Sequence, residues 1–299
     1  MTPIVDFHNH FVGAGFPLRE GLNHRLSAPQ ALLESLDAGG VEARVINTPL
    51  EFLQQRDGRV SDGTVERIND AMAALVVLQP GRLYGLATVD AYGGEAPARE
   101  LMRAVRTLGL RGLFMESAKG ELLPDAPEAR PTLAAAEALG IPVFLHPVAD
   151  PQLEPRFRKF GELGVRLTRS TINGAALYAL LEGGVFDELP GLKVIVTSLA
   201  FGALLLAAGM PDGARLRKDT PASQRRHVYI DTTGLDPIGT RGAIDIVGAD
   251  HVVFGTDWPV VQEAGLPGRL ATMFESFGLS AEARRDVSGA NALRLLGIA

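Results

Sequence analysis

Three histidines and one aspartate have the types and spacing of a metal site. His8 and His10 are separated by one residue in an extended segment. Side chains at i and i+2 of such a segment point to the same side, so both imidazoles can bind the same ion. His146 and Asp257 each follow a later apolar run. Neutral imidazoles and a carboxylate suit zinc and similar first-row ions. We therefore expect one divalent metal, Zn²⁺ first and Mn²⁺ as the alternative, holding a water whose pKa falls to about 7.

The elements that must position these side chains alternate along the whole chain. Eight short apolar runs read as strands buried on both faces, as in parallel sheets, at 3–7, 43–47, 83–88, 112–115, 142–145, 193–197, 228–231 and 252–255. Stretches with helical periodicity lie at 28–38, 65–78, 96–108, 131–139, 174–181, 200–208, 239–247, 268–277 and 281–296. Strands that alternate with helices in this way predict a single α/β domain over residues 1–299, a closed TIM (β/α)8 barrel.

The barrel prediction agrees with the positions of the histidines. Active sites of such barrels lie at the carboxyl ends of the strands, where His8, His10 and His146 occur. His227 and His251 precede their strands, at the face where side chains serve stability. The competing doubly wound sheet carries a glycine-rich phosphate turn after its first strand. The glycines after the first run lack the third member of that turn, so the sequence favours the barrel.

The composition excludes several classes of function. The net charge is −6 and no long basic run is present, which argues against nucleic acid as a partner. The absence of cysteine excludes a thiol nucleophile, a disulfide framework and thiolate metal ligands. The longest apolar stretch, 199–210, is too short for a membrane span. We expect a small-molecule substrate, no nucleic-acid or membrane partner, a cytoplasmic location and a homodimer as a possible assembly.

An ordered set of motifs resembles the amidohydrolase superfamily, and within it the aminocarboxymuconate-semialdehyde decarboxylase-like branch. The matching segments are VDFHNHF (5–11), FLHP (144–147), LPGLKVI (189–195), VYIDT (228–232), FGTDWP (254–259) and GANA (289–292). The resemblance implies that His8, His10, His146 and Asp257 hold the metal. It also implies that Asp257 moves protons, since a carboxylate beside a cation is kept ionised and can accept one near neutral pH.

One position departs from the family pattern. Where most relatives place a histidine after the sixth strand, this chain has Ser198. A serine cannot act as a base near neutral pH as an imidazole does. We hypothesise that His24, in the connection after the first strand, or Glu116, at the end of the fourth, takes over this role. Ser198 stays a candidate for a hydrogen bond to the substrate.

Other residues are candidates for substrate binding. Arg25 shares the loop of His24, and Arg169 lies in the long connection after His146; either could bind a substrate carboxylate through two hydrogen bonds. Glu116 and Trp258 lie at strand ends and could line the pocket. Arg44 begins a strand, so it is expected on the opposite face.

Two chemistries fit one metal with Asp257 beside it. In hydrolysis, activated water attacks a small cyclic or conjugated acid, amide or lactone. In non-oxidative decarboxylation, Asp257 protonates the carbon of an unsaturated or aromatic acid that loses CO₂. The family resemblance favours the second and Ser198 weakens it, so the sequence slightly favours hydrolysis. A hydratase, a metal-free lactonase and a ligand-binding barrel without activity are the remaining alternatives.

Overall fold

The strands follow the predicted order and are all parallel. The computed structural model describes residues 3–298 apart from 14, 17, 19–20, 55–59, 222, 234–235 and 261–264. The described strands are β1 (Val5–His10), β2 (Ala43–Asn47), β3 (Leu83–Gly85), β4 (Ala87–Thr88), β5 (Leu113–Glu116), β6 (Pro142–His146), β7 (Lys193–Val196), β8 (Val228–Asp231) and β9 (Val252–Val253). β1 extends past the predicted 3–7, so both of its histidines lie inside the strand.

Backbone hydrogen bonds join the strands into a ring. β1–β3 form one sheet and β4–β9 another. They meet at Leu86, whose N–H donates to Ile46 O (2.9 Å), while the next N–H, of Ala87, donates to Gly112 O (2.8 Å). The predicted strand 83–88 therefore changes its pairing partner midway.

The two outer edges of the sheets also meet. Phe7 N–H donates to Phe254 O (2.8 Å), and His10 N–H donates to Trp258 O (2.8 Å). In the other direction, Asp257 N–H donates to His8 O (2.9 Å). The chain thus forms the predicted TIM barrel, and these bonds bring the segment that carries Asp257 directly against β1.

The helices surround this ring. They are α1 (Pro29–Gly39), α2 (Thr64–Leu78), α3 (Glu95–Arg106), α4 (Arg130–Leu139), α5 (Glu154–Phe157), α6 (Glu162–Glu182), α7 (Val185–Glu188), α8 (Phe201–Ala208), α9 (Pro237–Val247), α10 (Leu266–Ser276), α11 (Ala281–Arg285) and α12 (Asn291–Leu295). In the described part of the chain, none of them has the length and apolar character to cross a membrane. The cytoplasmic location and the homodimer stay predictions.

Two helical predictions were incomplete. α6 begins twelve residues before the predicted 174. The buried positions of its first half include Gly164 and Thr168, while apolar residues such as Leu163 lie exposed, so the apolar residues do not mark its buried face. The predicted helix 281–296 is interrupted by a π-helical turn, Asp286–Ala290. There Gly289 faces the start of the chain so closely that a Cβ would lie 2.6 Å from Pro3 O. The turn lets the chain pass that contact without a clash.

Aromatic side chains fill the barrel interior beneath the site. Phe7, Phe114 and Phe144 are at most 1% exposed, and Phe144 packs edge to face on Phe7 with ring centroids 5.7 Å apart. The His8 ring lies 4.8 Å from that of Phe144, and the His146 ring 5.3 Å from that of Phe114. The core thus forms an apolar floor, and packing against it fixes the position of the His8 and His146 rings along the barrel axis.

Candidate active site

The structure brings the four predicted metal ligands together. One ligand atom from each of His8, His10, His146 and Asp257 lies within 4.8 Å of the others, and we call these residues the four-residue cluster. His8 Nε2 and His10 Nε2 are 3.3 Å apart. Asp257 Oδ1 is 3.5 Å from the first nitrogen and 3.2 Å from the second. Tetrahedral ligands bonded at about 2.1 Å lie about 3.4 Å apart, so the spacing fits one ion.

Local backbone features aim these side chains. His8 and His10 alternate on β1 and share its inner face. Asp257 has φ of 66°, the one positive φ outside glycine in the described chain, and this left-handed turn redirects its carboxylate. Gly255 makes room for the cluster, since a Cβ there would lie 2.7 Å from His8 Cβ. The segment is held by Asp6, whose carboxylate accepts hydrogen bonds from the backbone and hydroxyl of Thr256 (2.9 and 2.7 Å).

Side chains behind the cluster orient two imidazoles. His8 Nδ1 lies 2.5 Å from Asp231 Oδ2, and His10 Nδ1 lies 2.8 Å from Asn47 Oδ1. Each contact leaves Nε2 free to face the cluster, as metal-binding histidines usually do. His146 Nδ1 is buried and has no hydrogen-bond partner in the described part of the chain. An unpaired buried nitrogen is costly unless a ligand satisfies it, so the donor set fits a cation.

The charges of the cluster also suit a cation. Burial, together with the neighbouring His10 and His8, lowers the pKa of His146 well below its usual range, so this imidazole is neutral. Burial opposes ionisation of Asp257, but His8, His10 and Arg169 outweigh it and lower its pKa. Burial opposes protonation of His8, but Asp231 and Asp257 outweigh it and raise its pKa. A divalent ion would take the place of the proton on His8 Nε2, beside Asp257.

Glu51, Glu116 and Arg169 form a second group beside the cluster, which we call the rim group. Arg169, from α6, donates through Nη2 to both carboxylate oxygens of Glu51 (2.8 and 3.0 Å) and through Nη1 to Pro147 O (2.7 Å). Glu116 Oε1 accepts the backbone N–H of Glu51 at 2.9 Å. Burial, followed by the charges of Glu51 and Asp90, raises the pKa of Glu116 to about 7.

Two members of the rim group, Glu51 and Glu116, border cavities. A cavity of about 240 Å³ is lined by Glu51, Glu116, Lys119, Val148 and Ile172, among others. A larger one, of about 470 Å³, also contacts Glu116 and shares Gln54 and Lys119 with the first. Val148 is two residues beyond His146 in the chain, but the residues of the four-residue cluster line neither cavity.

The remaining predicted residues lie around the site in different ways. Ser198 is half-buried at the start of a 3₁₀ turn after β7, and its backbone N–H donates to Asp231 Oδ1 (2.8 Å). His24 is exposed in the turn His24–Ser27. Within the described residues, no hydrogen bond or ring contact joins its side chain to the cluster. Its catalytic role stays a prediction.

Trp258 packs between two guanidinium groups. The Cζ of Arg25 lies 5.2 Å from the ring centroid and that of Arg44 lies 5.4 Å from it. Arg44 is buried and paired with Asp6 (2.8 Å), two residues before His8, and its placement on the opposite face of the barrel stays a prediction. Trp258 has no exposed surface in this conformation, so it supports the loop of Arg25 from below. Direct contacts of Arg25 and Trp258 with a substrate stay predictions.

Several residues that contact the predicted site residues were not found from the sequence. Asn47 and Glu51 are examples, and so is a buried chain in which the single hydroxyl proton of Ser117 has two acceptors, His146 O and Asn173 Oδ1, each 2.9 Å from Oγ. Asn173 in turn donates to Thr197 Oγ1 (2.6 Å). A polar residue at the end of an apolar run was the available signal for Asn47.

Comparisons with known proteins agree with this geometry. The 2-amino-3-carboxymuconate-6-semialdehyde decarboxylase of Dictyostelium discoideum is 25% identical over 281 residues, covering 90% of this chain and 77% of that protein. The gamma-resorcylate decarboxylase of Rhizobium sp. (strain MTP-10005) is 28% identical over 260 residues, covering 80% and 79%.

A solved structure shows the same fold. The dihydroxybenzoic acid decarboxylase of Polaromonas sp. JS666, with bound manganese and the inhibitor 2-nitroresorcinol, superposes with a TM-score of 0.78 at 22% identity. The match covers 100% of this chain and 98% of that chain. The resemblance inferred from the ordered motifs is thereby confirmed. Because a profile of the amidohydrolase family matches residues 5–298, nearly the whole chain, the protein belongs to the amidohydrolase family.

Proposed function

We propose that the protein is a metal-dependent decarboxylase that releases CO₂ from a small unsaturated or aromatic acid without oxidation. The observation that carries the proposal is the four-residue cluster, in which the Asp257 carboxylate faces two imidazole nitrogens at 3.2 and 3.5 Å. The curated relatives matched over most of their length are decarboxylases. They favour this reaction over the hydrolysis that the sequence slightly favoured.

The cofactor of the proposed reaction is a single divalent ion. His8, His10, His146 and Asp257 would hold it, and when bound it would supply the positive charge that orients an anionic substrate. Because the Polaromonas structure contains manganese, we propose Mn²⁺ equally with Zn²⁺ as the ion that this chain binds.

Asp257 is the proposed proton carrier. It is ionised in the free site, so it first takes up a proton from solvent or from a substrate hydroxyl. When the bond between the carboxylate and its carbon breaks, the electron pair stays on that carbon and CO₂ leaves. Asp257 then delivers its proton to this carbon, which gives a C–H bond and restores the carboxylate. The apolar floor of Phe7, Phe114 and Phe144 keeps water from approaching from below.

The rim group is proposed to select the substrate. The cavity of about 240 Å³ has room for a one-ring acid. Arg169 holds Glu51 in place through two hydrogen bonds, and binding of the substrate carboxylate by Arg169 itself stays a prediction. Glu51 and Glu116 accept hydrogen bonds, and a Glu116 with pKa about 7 can also donate one. A ring that carries a hydroxyl or amino group would match both carboxyls, so we propose a hydroxy- or amino-substituted acid as the substrate class.

Isotope labelling tests the reaction type. The metal-loaded protein is incubated in D₂O with hydroxy- and aminobenzoic acids and conjugated amino acids, and in H₂¹⁸O with lactones and cyclic amides. The proposal expects CO₂ release with one deuterium on the carbon that lost it. Variants that lack both His8 and His10 serve as the inactive control.

Three outcomes would overturn the proposal in different directions. Ring opening with ¹⁸O in the product and no CO₂ would identify a hydrolase, the second candidate, which the serine at position 198 favours. Addition of water without bond cleavage would identify a hydratase. A purified protein without metal, and without turnover when Mn²⁺ or Zn²⁺ is added, would identify a metal-free lactonase if it still opens lactones, or a ligand-binding barrel.

A further inference from the structure

The two histidines of β1 are oriented by chemically different partners. Asp231, a carboxylate at the end of β8, contacts His8 Nδ1 at 2.5 Å. Asn47, an amide at the end of β2, contacts His10 Nδ1 at 2.8 Å. Both partners are fully buried. These contacts belong to the metal site of the proposed function, so what we infer from them rests on that site and not on the type of reaction.

Asp231 is surrounded by hydrogen-bond donors on both of its oxygens. Oδ1 accepts the backbone N–H of Ser198 (2.8 Å) and of Thr233 (3.1 Å), and also the Thr233 hydroxyl. Oδ2 faces His8 Nδ1. A backbone N–H can only donate, so the position of Oδ1 has to be occupied by an acceptor.

Asn47 has different surroundings. Its Oδ1 accepts from His10 Nδ1, while its Nδ2 is buried and makes no hydrogen bond within the described residues. An oxygen in place of this nitrogen would break no hydrogen bond among the described residues, although as part of a carboxylate it would bring a buried charge. Asp231→Asn and Asn47→Asp should therefore have different effects on the orientation of the histidines and on metal binding.

We propose that Asp231 is a positioning residue that fixes the tautomer of His8, and that both of its oxygens are required for this. With asparagine at 231, the amide oxygen has to face the N–H groups of Ser198 and Thr233. The NH₂ group then faces His8 Nδ1, which must become an acceptor, and the ring proton moves to Nε2. A protonated Nε2 cannot bind a metal. The substitution would keep the shape of the side chain and still disable His8.

The same contacts explain how position 198 takes part in the site. Ser198 contributes its backbone N–H to Asp231, and Asp231 orients His8. This contribution does not require a particular side chain. The metal site can therefore remain complete although the family's imidazole is absent at this position.

Metal affinity and tautomer together test the proposal without any substrate. The affinities of metal-free wild type, Asp231→Asn, Asn47→Asp and Ser198→Ala for Mn²⁺ and Zn²⁺ are measured by competition with a chelating dye. Asp231→Asn should lose about 10–100-fold, the usual effect of removing such a partner. Asn47→Asp adds a buried charge behind His10 but keeps an acceptor for its Nδ1, so it should not lower the affinity. Ser198→Ala keeps the backbone N–H and should stay near wild type. A loss in Asn47→Asp equal to that in Asp231→Asn would point to general damage and overturn the proposal.

Nitrogen NMR of ¹⁵N-histidine-labelled, metal-free protein gives the second readout. Above the pH range in which histidine titrates, wild-type His8 and His10 should both carry the proton on Nδ1. In Asp231→Asn, His8 alone should carry it on Nε2. A wild-type His8 protonated on Nε2 would overturn the proposal even if Asp231→Asn did not fold. Unchanged affinity in a folded Asp231→Asn would overturn it as well, whereas a failed decarboxylase assay would affect only the proposed function.

Discussion

Replacing Glu116 with glutamine should change how the stability of the metal-free protein depends on pH. Glu116 ends β5 in the rim group, where its carboxyl accepts the N–H of Glu51. Burial is the largest cause of its raised pKa, and the charges of Glu51 and Asp90 add to it, so the value rises from 4.5 to about 7. Glutamine keeps the shape and the acceptor oxygen but removes the ionisation.

The sign and size of the effect follow from linkage. The unfolded chain releases this proton near pH 4.5 and the folded protein near pH 7. Below the lower value both states are protonated and burial has no ionic cost. As the pH rises, the unfolded state ionises first, so the folded state loses stability until the pH exceeds about 7. One pKa unit corresponds to about 1.4 kcal/mol, so the full cost is about 3 kcal/mol, of which about 2.5 kcal/mol develops between about pH 5 and pH 8.

Urea unfolding at these two pH values measures the effect. Relative to wild type, Glu116→Gln should gain about 2 to 3 kcal/mol more stability at about pH 8 than at about pH 5. Other titrating groups, including the histidines of the cluster, cancel in this difference. Glu121→Gln changes an exposed carboxyl nearby and should leave the pH dependence unchanged. If Glu116→Gln follows the wild-type curve at both pH values, the assignment of a raised pKa to Glu116 is wrong.

The remaining predictions concern the metal and the proton. The double variant His8→Ala with His10→Ala should contain almost no metal by elemental analysis, because the two ligands left cannot compete with solvent; full occupancy would refute the assignment. Asp257→Asn should lower kcat by about 10²–10⁴-fold with less effect on substrate binding, and near-normal turnover would assign the proton transfer to another group. His24→Ala should abolish turnover with the metal still bound if His24 supplies the missing imidazole, and unchanged turnover would reject that role. Ser198→Ala should cost little, whereas a loss of about 1.5–3 kcal/mol in kcat/KM would show that its hydroxyl binds the substrate.

Much of the fold could be predicted because a barrel repeats one simple pattern. Continuous apolar runs identify strands covered on both faces, and each predicted run corresponds to a described strand or a pair of them. The division of 83–88 at Leu86 was not predictable, since it depends on which neighbour each residue pairs with. The first half of α6 was missed because its buried face carries glycine and threonine while apolar residues lie on its exposed face, so the apolar pattern does not follow the helical period.

The four-residue cluster could be predicted for a related reason. Closing a parallel barrel brings all carboxyl ends of its strands to one face, so His146 and Asp257 meet β1 even though they are far apart in sequence. The same rule places Asn47, the last residue of β2, at this face, but neither its role nor that of Glu51 could be read from the sequence. Each acts through one contact, to His10 and to Arg169 respectively, that depends on side-chain rotamers and on the tilt of a helix.

The departure at position 198 has a different meaning in the structure than in the sequence. From the sequence, the missing imidazole argues against decarboxylation, because a base is lost where relatives have one. In the fold, this position donates its backbone N–H to Asp231, which contacts His8 Nδ1, so our proposal for the metal site does not require the lost side chain. We therefore propose that proton transfer involves Asp257, whose pKa is lowered, and Glu116, whose pKa of about 7 suits both donation and acceptance. Serine at 198 therefore reduces the number of groups that can transfer the proton. It does not decide between hydrolysis and decarboxylation, which depends on the substrate that the rim group accepts.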